Sequence, residues 1–224
     1  MIKYILPLLA VFLGFILAFF TKKQKSWSNK LILSFSGAFL LALTLFELLP
    51  EVYEHLATKT TGLFIMSGIL LQIVLELFSK GAEHGHVHMH QQEKGFPWWL
   101  FISLCIHSFL EGFPIHEHND MVYGVLIHKT PIATLITLFL LQSNFSKIQI
   151  VIFLVIFAIM TPLGTFISNT SPVIINYIHS INAVVIGIFF HISTTILFES
   201  GEGHKFNLSK FIAIILGVGI AYFI

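Results

Sequence analysis

Residues 97–115 read PWWLFISLCIHSFLEGFPI. The run is apolar enough and long enough to cross a bilayer, which takes about 20 predominantly apolar residues, yet it holds His107, Ser108 and Glu111. An ionised group at bilayer depth costs about 2.5–3.5 kcal/mol on the most lenient insertion scale, so such residues normally face a protein interior and mark a pathway. The next apolar run, 121–142, repeats the anomaly with His128, Lys129, Thr130 and Pro131. Two neighbouring membrane-length segments with polar groups far from either end predict a helical membrane protein whose working part lies between them.

The rest of the chain agrees with that class. Of its 224 residues, 56% are hydrophobic and 10% charged, and the mean hydropathy is +0.88; a soluble domain carries about 25% charged residues. Hydropathy divides the chain into eight expected spans at 2–20, 30–49, 62–79, 97–115, 121–142, 147–168, 175–198 and 208–224. The expected fold is therefore an all-α integral membrane protein, an eight-helix bundle forming a single transmembrane domain over 1–224, with its one longer connection at 80–96. The first span reads as a retained helix and not a cleaved leader, because no small-x-small site closes it and Lys22, Lys23 and Lys25 follow it. Cys105, the single cysteine, excludes a disulfide framework and a Cys-based zinc cluster. A net charge of +1, from lysines without any arginine, leaves no basic field for nucleic acid.

Basic residues in short loops stay on the cytoplasmic side. With the N-terminus outside, the inner loops hold Lys22, Lys23, Lys25, Lys30, Lys80, Lys94, Lys147, Lys205 and Lys210, against Lys3 and Lys59 on the outer side. Both ends are therefore expected outside, in a multi-pass protein of the cell (inner) membrane. This orientation turns the tract Glu83-His84-Gly85-His86-Val87-His88-Met89-His90 to the cytoplasm, and His116-Glu117-His118-Asn119-Asp120 to the exterior.

His107 and Glu111 are four residues apart, which on a helix puts both side chains on one face with Cβ atoms about 5–6 Å apart. An imidazole nitrogen and a carboxylate oxygen can then reach one cation at about 2.0–2.2 Å, the distances zinc takes. His128, on the antiparallel neighbour at similar depth, is the expected third ligand. Imidazole with carboxylate suits Zn, Fe, Mn, Co or Ni, and affinity order alone does not choose among them. Pro131 deprives the carbonyl of Ile127 of its helical partner, and Pro162 does the same to Ala158; either an unwound site or a plain kink follows. Gly112 and Gly164 allow close helix approach. His84, His86, His88 and His90 form a tract of the kind that binds transition metals, and His116, Glu117, His118 and Asp120 are candidates for capturing cations at the outer mouth. Glu47, Glu76 and His191 are further polar groups at depth, ligands or interhelical hydrogen bonds, with His191 the first to consider.

Taken together, His107-Ser108-Phe109-Leu110-Glu111-Gly112 and His128-Lys129-Thr130-Pro131 resemble the fourth- and fifth-helix motifs of the ZIP (Zrt/Irt-like) family of divalent metal transporters. Leu48-Leu49-Pro50-Glu51, Leu141-Gln142-Ser143, Pro162-Leu163-Gly164 and the His-rich tract are similar to further features of that family. The resemblance implies an eight-helix bundle with its transport site on the fourth and fifth helices and metal moving toward the cytoplasm by alternating access. Many members hold two metals, with a carboxylate four residues after the first ligand of the fifth helix; here that position is Ile132, and Ser108 and Lys129 stand where a second metal would seek Asn and Asp. The chain resembles the subset with a His-Lys pair, which implies a single metal held by His107, Glu111 and His128, with Ser108 and Lys129 beside it. The expected cargo is Zn2+, or Fe2+, Mn2+ or Co2+, with no catalytic cofactor; the expected partners are metal ions, the lipid bilayer and a second copy of the chain in a homodimer. Two readings of other classes compete: an intramembrane zinc-dependent hydrolase, for which no H-E-x-x-H motif is present, and haem ligation by His107 and His191.

Overall fold

The computed structural model describes residues 1–21, 26–79, 96–116, 120–199 and 208–224, and among these the regular structure is entirely helical. The helices are α1 (Ile2–Thr21), α2 (Ser26–Leu43), α3 (Leu49–His55), α4 (Thr58–Ser79), α5 (Trp98–Leu110), α6 (Met121–Gln142), α7 (Lys147–Thr170), α8 (Pro172–Asn176), α9 (Ile178–Glu199) and α10 (Leu208–Phe223). Six segments among the described residues are long and apolar enough to cross a membrane, including the continuous stretch Lys30–His55; α5 and α10 are apolar but shorter.

The departures from the expected spans have local causes. A π-helical turn, Thr44–Leu48, joins α2 to α3 and carries the second span past Pro50 without leaving helical backbone, since Leu48 and Leu49 are both in the right-handed helical region. The fourth span is helical only to Leu110; Glu111 caps it with an N–H to the His107 carbonyl at 3.0 Å, and residues 111–114 form turns. Pro114 accounts for the stop, since it lacks a donor and disfavours helical backbone at Phe113. Pro131 and Pro162, by contrast, lie inside unbroken helices, so neither site is unwound. Lys147 opens α7 behind a capping box in which the Ser146 and Gln149 side chains satisfy each other's backbone N–H groups.

Helix directions follow from pairs of contacts along each interface. Leu6 packs against the cluster of Ile115, Val122 and Val125, and Gly14 fits against Ala133 and Thr130, so α1 and α6 run parallel. In the same way α5 and α7 are parallel, joined by Phe101 on Phe153 (ring centroids 4.8 Å apart) and by Gly112 on Thr161. Gly217 against Phe35 and Tyr222 against Phe46 make α10 parallel to α2. Gly68 against Val184 and Glu76 against His191 make α9 parallel to α4. Helices α1 and α7 are antiparallel, with Lys3 donating to Asn169 at 3.2 Å.

Candidate metal centre

Helix α5 ends beside the middle of α6 and is crossed closely by α7. The crossing depends on two glycines: a Cβ on Gly112 would lie 2.2 Å from the Thr161 carbonyl oxygen, and one on Gly164 would lie 2.0 Å from that of Phe109. Only backbones without side chains at these two points approach so near. The approach brings Thr161 of α7 against the last turn of α5, where its hydroxyl oxygen lies 2.9 Å from the Ser108 carbonyl oxygen.

His107, Glu111 and His128 converge in this core, each 3% exposed or less. One ligand atom from each lies within 4.8 Å of the others. Nε2 of His107 is 3.5 Å from Oε2 of Glu111, and the His107 and His128 rings meet edge to face with centroids 6.3 Å apart. Ligands at about 2.0–2.2 Å from a zinc ion stand about 3.3–3.6 Å from one another in a tetrahedron, so the His107–Glu111 spacing suits a shared cation.

The two oxygens of Glu111 face different surroundings. Oε1 accepts from the Lys129 ammonium and from the Thr161 hydroxyl at 2.6 Å, whereas Oε2 is turned toward His107. Lys129 is 1% exposed; besides Glu111, it donates to Ser108 and, at 2.9 Å, to Thr161, and it stands 4.2 Å over the Phe157 ring centroid. Burial of two opposite charges is tolerated when they are paired and their remaining donors and acceptors are met. Glu111 thus has one oxygen fixed by a cation and a hydroxyl, and one directed into the histidine pair. Thr161 and Phe157 escaped the sequence reading; the nearest signal was the Thr161-Pro162 step beside Gly164.

The other expected site residues lie elsewhere. Glu76 and His191 pair with each other at 2.6 Å. Glu47, in the π-helical turn, accepts the Asp120 backbone N–H at 3.0 Å. His116 faces Glu51, with Nε2 3.5 Å from Oε2. Glu117, His118 and the tract with His84, His86, His88 and His90 lie outside the described residues.

Residues 81–224 match the ZIP zinc transporter family. Over 89 residues the chain is 32% identical to a protein named zinc transporter ZIP1 from Danio rerio, a stretch covering 37% of this chain and 30% of that protein. The matched stretch is thus less than a third of the relative's length.

Proposed function

From the premise that the chain belongs to the ZIP zinc transporter family, we propose that it is a membrane transporter for a divalent transition metal, zinc foremost, with Fe2+, Mn2+ and Co2+ as the other candidates. The observation that carries this reading is the buried convergence of His107, Glu111 and His128. Two imidazoles and a carboxylate form a donor set that zinc accepts readily, and their place amid apolar helices gives a dehydrated cation somewhere to rest part-way across. Transport proceeds into the cytoplasm by alternating access around this single site, the direction being the one the family resemblance implies.

The parity of the helix contacts supports eight crossings. If α2, the π-helical turn and α3 count as one span and α8 as none, each parallel pair joins two odd or two even spans: first with fifth, second with eighth, third with seventh, fourth with sixth. A chain that crosses at every span requires that pattern. Helix α5 then completes its crossing with the turns at 111–114, and both ends of the chain lie outside.

Reconstituted protein should carry zinc into proteoliposomes, and Glu111→Ala should abolish uptake while leaving expression and insertion intact. Uptake no greater than in empty vesicles for Zn, Fe, Mn and Co would sink the transporter reading. Wild-type uptake by Glu111→Ala would remove Glu111 from the site. A homodimer in the cell (inner) membrane completes the proposal, tested by the mass of the detergent-solubilised particle.

A further inference from the structure

Two carboxylates of the continuous stretch Lys30–His55 hold the connection between the helices that carry His107 and His128. Glu47, in the π-helical turn, accepts the backbone N–H of Asp120 at 3.0 Å. Asp120 is the N-cap of α6, and its own side chain caps nothing. A carboxylate from a different span therefore meets the N–H groups that are left over where a helix begins. Glu51, one turn further on, has Oε2 3.5 Å from Nε2 of His116. Its other oxygen lies 3.6 Å from Nδ1 of His179 on α9, and His55 stacks on that ring with centroids 3.8 Å apart. The connection is thus gripped at His116, five residues after Glu111, and at Asp120, eight before His128.

On its other side the connection is fastened through backbone oxygens. That of Gly112 accepts from the Thr165 hydroxyl at 2.9 Å, and that of Ile115 from the Asn169 amide at 3.2 Å, both on α7. Lys3 of α1 reaches Asn169 in turn. Toward α2 the packing below Glu47 is apolar: a Cβ on Gly124 of α6 would lie 3.1 Å from Cδ1 of Leu43 and 3.5 Å from that of Leu40. Packed helices slide in small steps across such faces, because apolar contact is non-directional, whereas hydrogen bonds and ion pairs fix a register. Residues 111–115 are all buried, with Ile115 and Met121 at 0% exposure. In the chain they separate the gripped residues from the central ligands.

We propose that Glu47 and Glu51 form a latch that keeps this end of the bundle closed over the central site. Both contacts must release before a cation reaches His107, Glu111 and His128 from this side. The purpose of the latch rests on the alternating-access reading; its hold on residues 111–115 does not.

The test begins from Cys105→Ser, which leaves a chain without cysteine. One reporter is then added, either Ile115→Cys beside the latch or Ser103→Cys in the opposite half of α5, both at buried positions. A charged maleimide should label each slowly in detergent. Adding Glu47→Ala and Glu51→Ala should speed labelling at position 115 at least tenfold and leave that at position 103 unchanged. An unchanged rate at 115, or a rise no greater than that at 103, overturns the latch.

A second variant keeps Glu47 in place: Cys105→Ser with Glu51→Cys and His116→Cys, joined in proteoliposomes by a short bifunctional thiol reagent. Joining should cut zinc uptake at least tenfold, while the reagent leaves uptake by Cys105→Ser alone unaffected. Undiminished uptake after complete joining overturns the latch and spares the transporter reading. If the unaltered chain carries no zinc, the transporter reading falls, and the labelling comparison still decides the latch.

Discussion

The ammonium of Lys129 and the carboxylate of Glu111 form an ion pair whose side chains are 1% and 2% exposed. With Ser108 and Thr161 bonded to the same two groups, the metal-free site carries its own counter-charge. The carboxylate is therefore not left bare among apolar helices, which would be costly. A dication entering the proposed site would meet Oε2 of Glu111 and the two imidazoles without first displacing Lys129 from Oε1.

Lys129→Met tests that arrangement. Removing one partner of a buried pair costs about 3–5 kcal/mol, because the other charge stays behind. The metal-free variant should therefore melt well below the wild type in detergent. Zinc should raise its melting temperature more than it raises that of the wild type, since the dication takes over the task of the lost ammonium. Equal melting of the two metal-free proteins would show that the pair contributes nothing to stability.

The contact between α5 and α7 gives a second test. A Cβ added at Gly164 would stand 2.0 Å from a backbone oxygen, so the helices must separate and Thr161 must withdraw from Glu111. Gly164→Ala should lower zinc affinity at the central site roughly tenfold, about 1.4 kcal/mol. Gly62→Ala, with nothing within 4 Å of the new methyl group, should leave binding and uptake unchanged. The comparison is made by zinc titration of the two purified variants.

Deleting 84–90 should alter the apparent affinity of uptake or its regulation without eliminating it, because transport is assigned to ligands buried among α5 and α6. Complete loss of uptake in a well-expressed deletion would place an essential step in the loop.

Legibility of the site in the sequence followed the range of each interaction. His107 and Glu111 could be read as neighbours because helical spacing alone relates them. Their partner Thr161 could not: its position depends on a backbone contact between Gly112 and Gly164, and two glycines far apart in a chain do not announce that they touch. The ion pair of His116 with Glu51 was hidden for the same reason, since the two residues come from separate segments. Hydropathy found where apolar segments lie but not where helices stop. Phe113 and Ile115 continue the apolar signal beyond Leu110 although the helix has ended. Glu76 and His191 were recognisable as polar groups at depth, yet only the parallel packing of α4 and α9 makes them each other's partner.

The number of metals at the central site is the sharpest remaining test, and Lys129 determines it. Ser108 and Lys129 lie against Oε1 of Glu111, and Ile132, where the family resemblance would seek a further carboxylate, is buried and has no ligand atom. At about 4 Å and an effective dielectric near 20, two unit charges repel by about 4 kcal/mol, so an ammonium and a dication repel by roughly 8 kcal/mol. A single equivalent of zinc should therefore bind tightly in a chain whose His84, His86, His88 and His90 are changed to Ala. In that background Lys129→Asp exchanges the repelling charge for a ligand beside Ser108 and Thr161, and the stoichiometry should rise from one to two. Two tight equivalents with Lys129 still in place would refute the single-metal site. One equivalent in both chains would show that the missing carboxylate at Ile132, and not the lysine, limits occupancy.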